Sequence, residues 1–150
     1  MRFTRPRDLL AVALLAGLVA HALLNWVYDT LPPLPTFAGF TLLVIAATDL
    51  ALAFPLRARI RRVPGTRPVA PLTAARAVVL AKASSVLGAM MGGAWAGALL
   101  YVLPVREEFD AAGHDVVSAL VGLGCAAALV GAGLWLEHCC KTPDDSRGES

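Results

Sequence analysis

Residues 83–105 read ASSVLGAMMGGAWAGALLYVLPV, a run without a single Asp, Glu, Lys or Arg and with glycine and alanine recurring at spacings of three and four. A helix rises about 1.5 Å per residue and a bilayer core is about 30 Å thick, so roughly 20 such residues cross it. Three more stretches, 9–28, 30–48 and 116–136, are equally free of charged side chains. Four crossings follow. The hydrophobic fraction of 57% and mean hydropathy of +0.66 agree, because a soluble domain of 150 residues could not bury that much apolar surface. The expected fold is all-α, a single integral membrane four-helix bundle.

The charges between the runs set an expected topology. Arg2, Arg5 and Arg7 precede the first run, and Arg57, Arg59, Arg61, Arg62 and Arg67 gather between the second and third. The 29–35 connection has no Lys or Arg, and the 106–115 connection sets Arg106 against Glu107, Glu108, Asp110 and Asp115. Basic residues in short loops favour the cytoplasmic side. Both termini and the arginine loop 57–72 are therefore expected inside, with the two short connections outside. Trp26, Tyr28, Phe37, Phe40 and Tyr101 fall near the outer ends and Phe54 and Trp135 near the inner ends, where amphipathic rings prefer to sit. A rival reading takes residues 1–22, closing on Ala20-His21-Ala22, as a cleaved signal peptide. The apolar run continues to Val27, which suits an anchor better, and the mass of the mature protein separates the two.

Helices are expected over about 8–28, 36–58, 73–103 and 115–140, after a cytoplasmic segment 1–8 and before a polar, disordered tail 142–150. The proline-rich segments 31–35 and 63–71 exclude helix. Pro55 is expected to kink or shorten the second helix, and Pro104 to end the third. The third helix exceeds the bilayer core, so it tilts or projects into the cytoplasm.

Several local patterns carry a resemblance: Pro64-Gly65-Thr66-Arg67-Pro68, Ala75-Arg76, Ala81-Lys82-Ala83-Ser84, Gly88-Ala89, Gly97, and Leu136-Glu137-His138-Cys139 with Pro143 beyond. Over nearly its whole length the chain resembles a small actinobacterial membrane family of unknown function, with four helices and genes often beside those of folate biosynthesis. The resemblance implies a bacterial cell-membrane protein, with a folate link by gene association alone. It brings no catalytic roles with it.

Read for chemistry, the charged residues inside or beside the runs come first. Lys82 lies within a spanning helix, where an ammonium pairs or snorkels. Asp49 sits about 12 Å from Arg57 along its helix and Lys82 about 14 Å from Thr73 at about 1.5 Å per residue, so an Asp49–Lys82 pair at matched depth is one expectation. Lys82 snorkelling at the inner interface is the plainer one. Arg76 and Glu137 form a second candidate pair tying helix three to helix four, with anionic-lipid contact by Arg76 as the alternative. His21, Asn25 and Asp29 follow at steps of four with Tyr28 and Gly17 close by, a polar stripe expected to face the bundle and make interhelical hydrogen bonds, or else to line a vestibule.

Small residues give the firmest packing expectation. Helix three carries Ser84, Gly88 and Gly92 at steps of four and Gly93 with Gly97; helix four carries Gly124 with Ala128 and Ala127 with Gly131. Such spacing lets backbones approach closely, here by packing helix three on helix four, with homodimerisation as the alternative. His138, Cys139 and Cys140 offer soft ligands, but adjacent cysteines do not easily share one tetrahedral metal and no second ligand pair accompanies them; no metal or cofactor is expected. The three cysteines form no disulfide framework. A net charge of +2 argues against nucleic acid as a partner.

Two function classes remain. The first is a non-enzymatic accessory or scaffold protein whose loop arginines (Arg57, Arg59, Arg61, Arg62, Arg67) touch anionic lipid or a soluble cytoplasmic protein. The second is a small transporter component using Lys82, Asp49 and the His21/Asn25 stripe. No nucleophile sits beside a base, so an enzyme is not expected.

Overall fold

A computed structural model describes residues 5–30, 37–60, 70–105, 107 and 110–140. Helix α1 runs Pro6–Val27 and ends in a single 3-10 turn, Tyr28–Thr30. Helix α2 runs Ala38–Ile60, α3 Pro71–Val105 and α4 Asp110–Cys139. All four are long and apolar enough to cross a membrane, giving the chain the architecture of a multi-pass membrane protein. Arg61, Arg62, Arg67, the segment 1–4 and the tail 142–150 lie outside the described residues.

Local chemistry explains where the helix bounds fall. Pro6 opens α1 and Pro71 opens α3; a first-turn residue has no intrahelical N–H bond to lose, so proline is tolerated there. Asp8 lies in the first turn of α1, where a carboxylate meets the positive end of the helix dipole. Pro55 does not end α2, which continues to Ile60, and Pro104 lies inside the last turn of α3. Helix α4 starts at Asp110, drawing part of the expected acidic connection into its first turns.

The helices do not pack in chain order. α3 and α4 form an extensive antiparallel pair, α1 lies on α3, and α2 lies on α4 with a small edge on α3. Among the described residues, neither α1 with α2 nor α1 with α4 forms a helix–helix seam. Because α1 and α3 ascend together and α2 and α4 descend together, both flanking helices run parallel to the helix they touch. The burial pattern agrees: 6% of the apolar window of α1 is buried, against 39% in α3 and α4. One end of the molecule, here the arginine end, carries Arg5 just before α1, Arg7 of α1, Arg57 and Arg59 of α2 and Arg76 of α3. The opposite, tyrosine end carries Tyr28, Tyr101 and Asp115.

Candidate functional site

The central α3–α4 pair is held by glycines that take the place of side chains. A Cβ on Gly88 would lie 2.9 Å from Val130 Cγ2 and 3.0 Å from the Ala126 carbonyl oxygen. One on Gly133 would lie 2.8 Å from the Ala81 carbonyl oxygen, with the Ser85 hydroxyl closer still, and one on Gly122 would run into the Trp95 indole. Gly92 is looser, with Ala126 Cβ at 3.5 Å. Gly88 thus packs on Ala126 and Val130 of α4, and the α4 glycines that receive α3 are Gly122 and Gly133. Gly124 and Gly131, singled out in the sequence, have open space where a Cβ would be. Their spacing is right, but they occupy the face of α4 that no helix of this chain covers.

Gly93 and Gly97 serve a different partner. A Cβ on Gly93 would collide with the Ala13 carbonyl and one on Gly97 with the Gly17 carbonyl; one on Gly17 would come within 2.9 Å of the Gly93 carbonyl oxygen. Ala13, Gly17 and His21 on α1 mesh at steps of four with Gly93, Gly97 and Tyr101 on α3. This is the small-xxx-small pairing of membrane helices, with Cα–H groups facing carbonyls. His21 Nδ1 lies 3.4 Å from the Gly97 carbonyl oxygen, to which the Nδ1–H tautomer donates, and its ring meets Tyr101 edge-on at 5.9 Å. Tyr101 in turn meets Tyr28 edge-on at 5.1 Å.

Tyr28 closes this ladder onto α4. Its hydroxyl donates to Asp115 Oδ2 at 2.9 Å, and Asp115 is 2% exposed. His114 Nδ1 stands 4.0 Å from Asp115 Oδ1. Tyr28 lies just beyond the span of α1, and its hydroxyl pKa is pushed up to about 12, first by burial and then by the Asp115 carboxylate it bonds. Of the expected polar stripe, His21 reaches α3. Asn25 is exposed and donates back to the His21 carbonyl of its own helix at 2.8 Å, and the Asp29 side chain lies outside the described residues. The Tyr28–Asp115 bond was not anticipated. A carboxylate one turn into a spanning helix needs a donor, and that was the available signal.

On the other side of the α3–α4 pair, α2 meets α4 at Gly39, where a Cβ would lie 3.0 Å from Gly122 Cα, and below that seals with side chains. Leu42 and Ala46 pack with Ala126, Leu129 and Ala132; Ala53 packs with Ala81, Leu136 and Cys139. Between these clusters lies Asp49, 1% exposed, with neither carboxylate oxygen hydrogen-bonded. The Ser84 hydroxyl of α3 lies beside it but outside hydrogen-bonding geometry. The structure does not bring Lys82 onto Asp49: Lys82 is on the exposed surface of α3. Arg76 is exposed and Glu137 is 5% exposed, and among the described residues no Arg76–Glu137 ion pair forms. At the arginine end, the Arg57 guanidinium lies over the Trp135 ring at 5.5 Å, pinning α2 to α4; Arg59 is exposed. The Cys140 thiol, just past α4, has its pKa raised by burial and then by neighbouring Cys139 and Glu137. Among the described residues no group of three His, Cys, Asp or Glu side chains is placed to hold a metal.

Comparison with known proteins gives one match: residues 9–144 fit the model of a family described as a protein of unknown function, DUF3180. No curated protein and no solved structure matches the chain. The matched span takes in all four helices except the first turn of α1, and the chain belongs to this family.

Proposed function

We propose that this chain is a non-enzymatic accessory or scaffold protein of the bacterial cell membrane, with both termini and the arginine loop on the cytoplasmic side. The loop, Arg57 to Arg67, meets anionic lipid or an acidic soluble protein. One observation carries the reading: the α3–α4 pair separates the molecule's polar groups. His21 lies on the α1 side, bonded to α3, and Asp49 lies on the α2 side, beneath apolar clusters. A transport path through His21, Asp49 and Lys82 would have to cross a seam in which glycine backbones touch their neighbours. Closely packed cores have discrete arrangements and do not open continuously, so a supporting role fits this interior better than a conducting one. No catalytic role is assigned, and the Tyr28–Asp115 contact is read as a fastening between α1 and α4.

Crosslinking in the native membrane followed by purification tests the proposal. A stable protein partner, lost when Arg57, Arg59, Arg61, Arg62 and Arg67 are all replaced by Gln, supports docking through the loop. Loss of binding to vesicles containing phosphatidylglycerol in the same variant supports lipid contact. If both partner and vesicle binding survive the five substitutions, the loop assignment fails.

A further inference from the structure

Among the described residues Asp49, Asp115 and Glu137 are buried carboxyl groups, and they are provided for unequally. Asp115 accepts from Tyr28. Glu137 leaves one oxygen without a hydrogen bond, whereas Asp49 leaves both. The apolar clusters fix what surrounds Asp49. Ala46 packs in the cluster of Leu129 and Ala132, and Ala53 in that of Leu136 and Cys139, so Asp49 stands at about the level of Ala132. From α3 the Ser84 hydroxyl faces it. From α4 it meets alanine and leucine, and α1 does not reach α2. The titratable groups of these elements are displaced along the helices. At about 1.5 Å per residue, Glu137 and Cys139 lie about 7.5 and 10.5 Å beyond Ala132, and Arg57 about 12 Å beyond Asp49. Lys82 is on the exposed surface of α3.

Neither oxygen of Asp49 has surface that a water molecule can touch, so hydration does not supply the missing partner. A carboxylate with neither water nor counter-ion in an apolar interior is costly enough that the group takes up a proton instead. The helix that carries it is also the one best able to yield. α2 meets α3 only along a small edge, and apolar side chains hold it to α4, a contact that lipid can replace at little loss. We propose that Asp49 is a proton-binding site that latches α2. As a carboxylic acid it lets α2 seat against α3 and α4. When the O–H bond breaks and the proton passes to water, the charge left behind is one the closed seam cannot hold, and α2 shifts from α3 until water reaches the carboxylate. Seating and proton binding are then one linked equilibrium. Because α2 runs into the 57–72 segment, the proton also sets how the start of that segment is held, whatever the segment binds.

The full chain in phosphatidylcholine nanodiscs provides the test, over the pH range in which circular dichroism shows the helices intact. Infrared spectroscopy reads the carbonyl band of a protonated carboxylic acid. Pulsed electron resonance reads the place of α2, from spin labels on Leu10→Cys of α1 and Leu50→Cys of α2, both exposed positions, with Cys125, Cys139 and Cys140 replaced by alanine. The chain with Asp49 intact is expected to show an acid band that Asp49→Asn lacks. As pH rises that band should disappear, and over the same interval the α1–α2 distance should lengthen or broaden. Asp49→Asn, which keeps the size of the side chain and cannot ionise, should hold the short distance at every pH, and Asp49→Leu should do the same. No difference in the acid band between Asp49 and Asn would overturn the proposal. So would a band that is lost while the distance stays fixed, a band that persists for as long as the helices do, or the same pH-dependent lengthening in the two uncharged variants.

Discussion

The two flanking helices are attached to the central pair by different balances of backbone and side-chain contact. α1 joins α3 through backbone, with Gly17, Gly93 and Gly97 replacing side chains and a His21–Tyr101–Tyr28 ladder running to Asp115. α2 joins α4 mainly through leucine and alanine side chains that enclose a carboxylate without hydrogen bonds, with one glycine contact, Gly39 on the Gly122 backbone, at the tyrosine end and Arg57 stacked on Trp135 at the other. In lipid, apolar side chains gain little from leaving one hydrocarbon environment for another, so close contact and polar fastenings hold helices together. The α1 seam has both. The α2 seam has contact but leaves its most polar group, Asp49, unfastened. The α1 seam should therefore tolerate little change, and the α2 seam should improve when its polar group is removed.

The largest effect is expected at Gly93. A leucine there has no space against the Ala13 carbonyl, and overpacking of a tight contact costs about 3 kcal/mol or more. Gly93→Leu should abolish the folded state or sharply lower its melting temperature in detergent, whereas Gly124→Leu, on open surface, should stay within about 0.5 kcal/mol of wild type. Equal effects from the two would erase the distinction between the faces of α3 and α4. Tyr28→Phe comes next. It leaves Asp115 buried without that donor and should cost about 1.5–3 kcal/mol.

The same contact gives a pH dependence with a definite sign. The folded Tyr28 pKa of about 12 lies above the ordinary tyrosine value of 10.0. Between those values the folded state holds a proton that the unfolded state has lost. The Tyr28 contribution is thus complete below about pH 10 and lost as pH rises through about 12. Thermal melts from pH 9 to 12 should show this fall in wild type and not in Tyr28→Phe.

At Asp49 the sign reverses. A buried polar group without a partner costs about 1–3 kcal/mol, so Asp49→Leu, similar in bulk, should raise the melting temperature, and a large drop would show that the carboxylate has a structural task. The smallest effect belongs to Arg57→Gln, which removes a cation–π contact worth about 0.5–1 kcal/mol and should loosen only the arginine end of α2, seen as faster hydrogen exchange there.

Much of the architecture could be read from the sequence because membrane insertion is a one-dimensional problem. The absence of charge over about 20 residues declares a span wherever it occurs. Which helix meets which is a two-dimensional problem, and periodicity reports only the face. Gly93 and Gly97 were visible as a close-contact pair, yet nothing in their spacing says that α1 rather than α4 fills the space. Gly124 and Gly131 show the converse: correct spacing on a face without a neighbour. Gly133 has Leu129 and Glu137 four positions away and carries no small-residue signal, whereas Gly122 stands between Ser118 and Ala126 at steps of four, a signal that spacing alone does not rank above the Gly124 and Gly131 rows. The Asp49–Lys82 pairing rested on depth alone. Depth fixes a residue's height in the bundle and leaves its azimuth free. Azimuth put Asp49 against α3 and α4 in the interior and Lys82 at the surface.

The central claim is that α1 lies on α3, separated from α2 by the α3–α4 pair. Disulfide trapping in the native membrane, with Cys125, Cys139 and Cys140 replaced by alanine, addresses it directly. His21→Cys with Tyr101→Cys is expected to crosslink rapidly under mild oxidation, and Leu18→Cys with Leu43→Cys, across α1 and α2, is expected to remain reduced. Efficient trapping of the α1–α2 pair with none between α1 and α3 would contradict the arrangement.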